Sequence, residues 1–422
     1  MKKLIVLFFS IILGVSLFAQ NKSLSVWSFT DELQTMIEKY YTPSHPNVEI
    51  KYSLTPTDIF PDKLDDALLF SPNDPEIFAL ENYFVTKYIE QGENFLLDLT
   101  DIYNENKDKI VPYIAEIGTH NGRVYALSWQ TCPGAIFYRR SLAKKFLGTD
   151  DPVEVQKYFN DWESFLKTAR ELKDKSFGRC SIVSGSGDLY RTFISSRKQP
   201  WIVNGKITVD PAMEKYMDLC KILNDEGLDA KVGQWSEGWF AGMKDELKNE
   251  DGKSIRVFCY FLPTWGLHYT LKPNAGDTAG DWAMIQGSAP YYWGGTWLAA
   301  NKNARNPALA KDFIKYICIN ADFQTSLARD WGDMISNLNV IDEIKNKDPY
   351  LEIKNFLGGQ NYYAEFSKSL KNIHDKNRQS TDLIVEAFFA EAVYSYVNGS
   401  LSKEQAIMQF KQSVAKKLNV SY

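Results

Sequence analysis

The 422-residue chain has little of what would give it an obvious chemistry. Its four histidines, His45, His120, His268 and His374, are far apart and show no metal-ligand spacing, so a metal site is disfavoured and no cofactor is expected. Its five cysteines, Cys132, Cys180, Cys220, Cys259 and Cys318, include no C-x-x-C pair, and an odd number leaves one thiol over under any pairing. They sit in apolar stretches such as "VFCYF" and "KYICIN", where a free cysteine acts as a small buried hydrophobe. Neither a disulfide framework nor a catalytic thiol is expected. Charge is balanced, with 48 Lys plus Arg against 53 Asp plus Glu and no dense block of either sign, so no basic stripe is present to bind nucleic acid. Internal repeats, low-complexity tracts and disordered linkers are also missing.

The N-terminus reads as an export signal. Lys2-Lys3 precede an apolar run, Leu4 to Phe18, too short for a stable membrane span, and Ser16 and Ala19 offer a cleavage point after Ala19. The competing reading is an uncleaved anchor. No cysteine follows the apolar run, so a lipid anchor is not expected and the product is a free periplasmic or secreted protein.

Downstream, "LSVWS" (24–28) alternates as a strand, and Leu33, Met36, Ile37, Tyr40 and Tyr41 repeat with helical spacing behind a cap at Thr30 or Asp31. "HPNVEIKYS" gives a second strand with Val48, Ile50 and Tyr52 on one face, and "DPEIFALENYFVTKYI" a third that runs into a helix. Strand–helix–strand–helix order implies a parallel, doubly wound α/β sheet. Further helices follow: one from Asn160 or Asp161, one capped by Asn306 with Pro307 at its first position, one stopped by Asn398-Gly399, and one opened by a Ser402–Gln405 capping box.

In order, "LSVWSF", "HPNVEIKYS", "NGRVYALSWQTCPGAIFYRRSLAKKFLG", "DWESFLKTARELKD", "WSEGWFAGMKDELKN…RVFCYFLPTW", "WGGTWLAANKNARNPALAKDFIKYI" and "NGSLSKEQAIMQFKQSV" resemble the extracellular solute-binding proteins of ABC importers, in particular the carbohydrate-binding family that includes maltose-binding protein. The resemblance covers nearly the whole chain after the signal. Two positions depart from it: Ser128 stands where Pro is usual, and Arg139 where Asn is common. The resemblance implies a two-lobed clamshell, each lobe a sheet flanked by helices, with crossings near residues 128–132, 284–287 and 332–336. The implied division is signal peptide 1–19, one lobe from 20–128 plus 285–333, and a second from 129–284 plus 334–422. A solute would sit between the lobes, where the rule for doubly wound sheets also places ligands, beyond the carboxyl ends of the strands.

A sugar has apolar C–H faces and a polar rim, so its site needs rings for the faces and Asp, Glu, Asn, Gln or Arg for the hydroxyls. Seven of the eleven tryptophans, Trp235, Trp239, Trp265, Trp282, Trp293, Trp297 and Trp331, fall between residues 235 and 331, a span holding two of the implied crossings. Candidate binding residues are Trp27 and Asp31 at the first strand's end, Glu81 and Asn82 at the third's, and Trp129 and Gln130 on the first crossing. Trp239, Trp265, Tyr292, Trp293, Gly294, Gly295 and Trp331 complete the set. Trp27 either faces the solute or fills the sheet core; Glu81 and Asn82 either face the solute or cap a helix. Gly294-Gly295 is expected to bring the backbone up to the solute beside Tyr292 or Trp293, while Trp297 packs inside a lobe. Trp162 is expected in packing, and Trp201 on a surface hairpin.

These readings point to a monomeric receptor that captures a carbohydrate and delivers it to an importer's membrane permease, without catalysis. The rivals are an exported glycoside-cleaving enzyme, with Asp31 and Glu81 as its carboxylates, and the same fold holding an amino acid, a polyamine or ferric ion. Ferric sites use adjacent tyrosines, which occur at 40–41, 291–292 and 362–363.

Overall fold

A computed structural model of the chain describes residues 22–347 and 351–422. The expected signal peptide and its cleavage point lie outside the described residues.

Five strands form one sheet and three another. The first contains β1 (Lys22–Ser28), β2 (Val48–Leu54), β3 (Ile77–Glu81), β4 (Ala126–Ser128) and β8 (Thr296–Ala300), in the order β2-β1-β3-β8-β4. The second places β5 (Gly134–Arg139) between β6 (Cys259–Pro263) and β7 (Trp282–Ile285). β1, β2 and β3 are mutually parallel, as their strand–helix alternation implies, but β8 runs antiparallel to both β3 and β4, and β6 and β7 run antiparallel to β5. A purely parallel sheet is therefore not what forms. Chain that returns from the other lobe enters each sheet from the opposite end, which reverses the returning strand.

Both faces of the second sheet are covered. Along β5, Ala135 and Phe137 join one apolar cluster while Ile136 and Tyr138 join another, as the two-residue period of a strand requires. Around this sheet lie α1 (Trp162–Lys175), capped by Asp161, and the C-terminal pair α4 (Asp382–Val397) and α5 (Lys403–Leu418). The Ser402–Gln405 capping box and the Asn398 stop are both present. Against the first sheet, α2 (Pro307–Ile319) starts at Asn306, whose side chain accepts from the Leu309 N–H, and buries Leu309, Phe313 and Ile317; α3 (Ala321–Trp331) follows it. Trp162 stacks on Phe193, a packing role as expected. Trp201 is not a surface residue: its hairpin folds back so that the ring is buried between Phe389 and Phe410. All five cysteines are free and buried.

Three segments link the sheets and lie side by side. Residues 129–133 connect β4 to β5 in the middle. On one flank the Thr131 N–H donates to the Met334 carbonyl (2.6 Å) and the Ser336 N–H to the Trp129 carbonyl (3.1 Å). On the other the Trp293 N–H donates to the Cys132 carbonyl (3.0 Å) and the Gly134 N–H to the Tyr291 carbonyl (2.8 Å). The two departures from the family pattern have local explanations. The Ser128 hydroxyl bonds both the N–H and the carbonyl of Gln130 and so turns the chain into the crossing, while Arg139 is buried in ion pairs with Asp245 and Asp281.

Candidate functional site

The carboxyl ends of β1, β3 and β4 and the start of β8 share one edge of the first sheet. Glu81 is paired with Thr296 across the ladder, and the Gln130 side chain donates to the Thr296 hydroxyl (3.3 Å). The Asn82 N–H donates to the Gly295 carbonyl (2.9 Å). Glu81, Asn82, Gln130 and Gly295 are thus brought together. Burial raises the Glu81 carboxyl above its ordinary range, against the pull of the Tyr83 N–H and of Arg378 and Arg191.

Two buried polar atoms at this edge, Thr30 Oγ1 and Asn82 Oδ1, have no hydrogen-bond partner among the described residues, and Trp129 Nε1 makes no well-formed bond although the Glu32 carboxyl is within its reach. Buried polar groups are nearly always satisfied, so these atoms are the ones at this edge open to a further partner. Trp129 is fully buried, and its indole lies near enough to Glu32 to hold that carboxyl back slightly. Glu32 is nonetheless raised well above the usual carboxylate range, by burial first and then by Asp333 and Asp31. Asp333, on the third crossing, is raised chiefly by burial, against the Met334 N–H and the Thr264 hydroxyl.

Facing this edge is a wall of rings. Trp235 and Trp265 stack at 6.0 Å with planes 9° apart, and Trp293 meets both edge-on, 6.0 Å from the first and 5.1 Å from the second. The Trp265 indole N–H donates to the Trp293 carbonyl (2.7 Å). Trp235 has a left-handed backbone, φ 67°, and is 51% exposed, so a large apolar face is open to the cleft mouth. Beside it the Arg191 guanidinium rests on the rings of Trp293 (5.5 Å), Tyr190 (5.8 Å) and Tyr83 (5.9 Å). Arg191 also lines a groove of about 490 Å³, walled by Tyr83, Tyr190, Tyr216 and Gln234 on one side and by α4 from Leu383 to Val397 on the other.

Several expected residues stand elsewhere. Asp31 is exposed at the helix start and caps nothing with its side chain; its neighbour Glu32 is the half-buried carboxylate. Trp239 does not face the cleft: its ring is buried against Tyr260 and its N–H donates to Asp188, because the short helix Glu237–Met243 turns that side inward and leaves Phe240 half-buried. Tyr292 is buried, with its ring against Tyr113 and its hydroxyl bonded to Asp375 and Arg378. The close approach to Gly294-Gly295 is made by protein rings. A Cβ on Gly294 (φ 86°) would lie 2.7 Å from Trp265 Nε1, and one on Gly295 (φ 116°) would lie 3.1 Å from the Trp297 ring. Trp297 is buried, and its N–H donates to the Ile114 carbonyl. Trp27 and Trp331 are half-buried against the first lobe's core. Five of the six hydroxyls in the tyrosine pairs, those of Tyr40, Tyr291, Tyr292, Tyr362 and Tyr363, bond protein oxygens, while that of Tyr41 is buried without a hydrogen-bond partner among the described residues.

Sequence reasoning missed Arg191, Tyr83, Glu32 and Asp333, and named Trp235 only as a member of the tryptophan cluster. Asp333 could have been found, since it sits on an implied crossing; nothing near Arg191 in the sequence marks it.

The fold and the cleft define a two-lobed binding protein, and the comparisons agree. The chain belongs to the bacterial extracellular solute-binding proteins, whose family model matches residues 35–352. An arabinooligosaccharide-binding protein of Bacillus subtilis (strain 168) is 21% identical over 314 residues, 69% of this chain and 68% of that protein. A crystal structure of an extracellular solute-binding protein of family 1 superposes with a TM-score of 0.80 at 20% identity, covering 94% of this chain and 99% of that one. The binding protein from B. animalis subsp. lactis Bl-04, in complex with β-1,6-galactobiose, superposes at 0.67 with 21% identity, covering 94% and 97%. No helix among the described residues is long and apolar enough to cross a membrane.

Proposed function

We propose that the protein is the sugar receptor of an ABC-type importer, exported to the periplasm or beyond. It captures a saccharide between its lobes and presents the closed form to the membrane permease, making and breaking no bond. The observation that carries this reading is the meeting, in one cleft, of an aromatic wall with buried polar atoms open to a further partner: Trp235, Trp265 and Trp293 suit the C–H faces of a sugar, and Thr30, Asn82 and Trp129 suit its hydroxyls. The saccharides named for the two related binding proteins support it.

The residues assigned to the solute are Trp265, Trp293, Trp235, Arg191, Thr30, Glu81, Asn82, Trp129 and Gln130, with Glu32 and Asp333 beneath them. The lobes are 20–128 plus 285–333 and 129–284 plus 334–422, and the working form is a monomer. A wrong solute would leave the open polar atoms unpaired in the closed cleft, at about 1–3 kcal/mol each, which is how the site would select.

A thermal-shift screen of neutral mono- and oligosaccharides, amino acids, polyamines and ferric ion tests the reading. A ligand that binds only the folded chain adds about 2.7 kcal/mol at a hundred times its Kd. A shift with a saccharide is expected; a shift with another class and none with any saccharide would overturn the carbohydrate assignment.

A further inference from the structure

Residues 374–380, which lead into α4, bond to both lobes: His374, Asp375 and Lys376 meet Glu116 of the first, and from Asn377 to Ser380 the partners alternate. Asn377 donates its amide N–H to the Arg197 carbonyl (2.7 Å), and Gln379 bonds Ile202 both ways, accepting from its N–H (3.0 Å) and donating to its carbonyl (2.9 Å). These partners belong to the second lobe, where Arg197 is itself fixed by a buried ion pair with Asp382 (2.9 Å). Arg378 and Ser380 reach the other way. Arg378 donates from Nη2 to the Asn82 carbonyl (2.6 Å), from Nε to the Thr86 hydroxyl (3.1 Å), and from Nη1 to the Tyr292 hydroxyl (3.0 Å) and Asp375 (3.4 Å). Ser380 donates its N–H to Glu90 (2.9 Å) and its hydroxyl to the same carboxylate.

Three first-lobe partners of Arg378 and Ser380, namely Asn82, Thr86 and Glu90, lie on one segment, 82–90, which follows Glu81 and contains the short helix Val85–Ile89; the fourth, Tyr292, lies on the second crossing. Arg191 reaches the same segment from the second lobe, resting on the Tyr83 ring. Hydrogen bonds from a guanidinium are of the stronger, charge-assisted kind, and the half-buried Arg378, with one ion-pair partner among the described residues, depends on them. Parting the lobes would strip Arg378 of Asn82 and Thr86, Glu90 of Ser380, and Arg191 of Tyr83 in one movement.

We propose that Arg378, Ser380 and Arg191 form a clasp by which the second lobe grips the 82–90 segment of the first and holds the cleft closed without help from a solute. Arg378 is then a positioning residue: through Asn82 and Tyr292 it sets the edge on which Glu81 stands. The proposal rests on the two-lobed fold and not on the identity of the solute, so its failure would leave the sugar reading untouched.

The test compares the exported chain with Arg378→Ala, Arg191→Ala and the surface double variant Ser380→Ala/Glu90→Gln, all without added solute. Small-angle scattering reads lobe separation, and amide exchange reads the 82–90 segment. The wild type should scatter as the closed form. Arg378→Ala should raise the radius of gyration and speed exchange of the 82–90 amides at least about tenfold, with exchange in α5 unchanged. The double variant, which touches no core residue, should move the same way by less and decides the matter if Arg378→Ala does not fold. Unchanged scattering and exchange in the folded variants, or a wild type already open in solution, would overturn the clasp.

Discussion

The indole N–H of Trp265 donates to the backbone carbonyl of Trp293 over 2.7 Å, so a ring carried by the second lobe is fastened to the segment that leads back into the first. Gly294 makes this possible, because any side chain there would occupy the place of the Trp265 nitrogen.

That relationship separates three tryptophans by consequence. Trp297→Ala empties a site that is 1% exposed and should cost about 3–5 kcal/mol of stability with little change in solute affinity. Trp265→Ala and Trp293→Ala, at half-buried cleft rings, should do the reverse, weakening binding by about 2 kcal/mol, roughly thirtyfold, while urea melts stay near wild type. Denaturation and titration of the three variants check this; a destabilised Trp293→Ala with full affinity would show that the faces are inverted.

Gly294→Ala and Gly399→Ala form a matched pair. Both positions have left-handed backbone, φ 86° and φ 80°, and each substitution should cost about 1 kcal/mol for that alone. Gly399 has open space around it, whereas the new methyl at Gly294 meets Trp265. Only Gly294→Ala should therefore lose solute affinity, read by titration against melting curves of both.

The carboxyls of Glu32 and Asp333 predict a pH dependence. Both are raised above the range near pH 4 in which the unfolded chain titrates, so their contribution to stability is full below that range and is lost as the pH rises toward about 8. Melting temperature should fall between about pH 5 and about pH 8. Asp333→Asn, which keeps an acceptor for the Met334 N–H, should remove on the order of 2 kcal/mol of that slope. An equal slope in wild type and variant would contradict the assignment.

The elements were legible where a local rule governs them. Asn306 before Pro307, the Ser402–Gln405 box and the alternation of Val48, Ile50 and Tyr52 each state their structure within a few residues. Glu81, Asn82 and Gln130 could be placed at strand ends because a strand's last residues lie at the sheet edge whatever packs above them. Asp31 and Glu32 could not be told apart, since one residue along a helix turns the side chain by about 100°. Trp239 was misplaced for the same reason: its burial depends on Asp188, some fifty residues earlier, which supplies the acceptor for its N–H. Besides its chain neighbour Tyr190, Arg191 meets the rings of Tyr83 and Trp293 on two distant segments, and no local pattern encodes that.

The central claim is that a saccharide binds between the lobes against the tryptophan wall. The most direct measurement is calorimetric titration of the saccharide giving the largest thermal shift into wild type and Trp265→Ala. The account predicts one site per chain in the wild type, and binding at least about thirtyfold weaker in a variant that melts within about 1 kcal/mol of it. Equal affinity in the two proteins would contradict it.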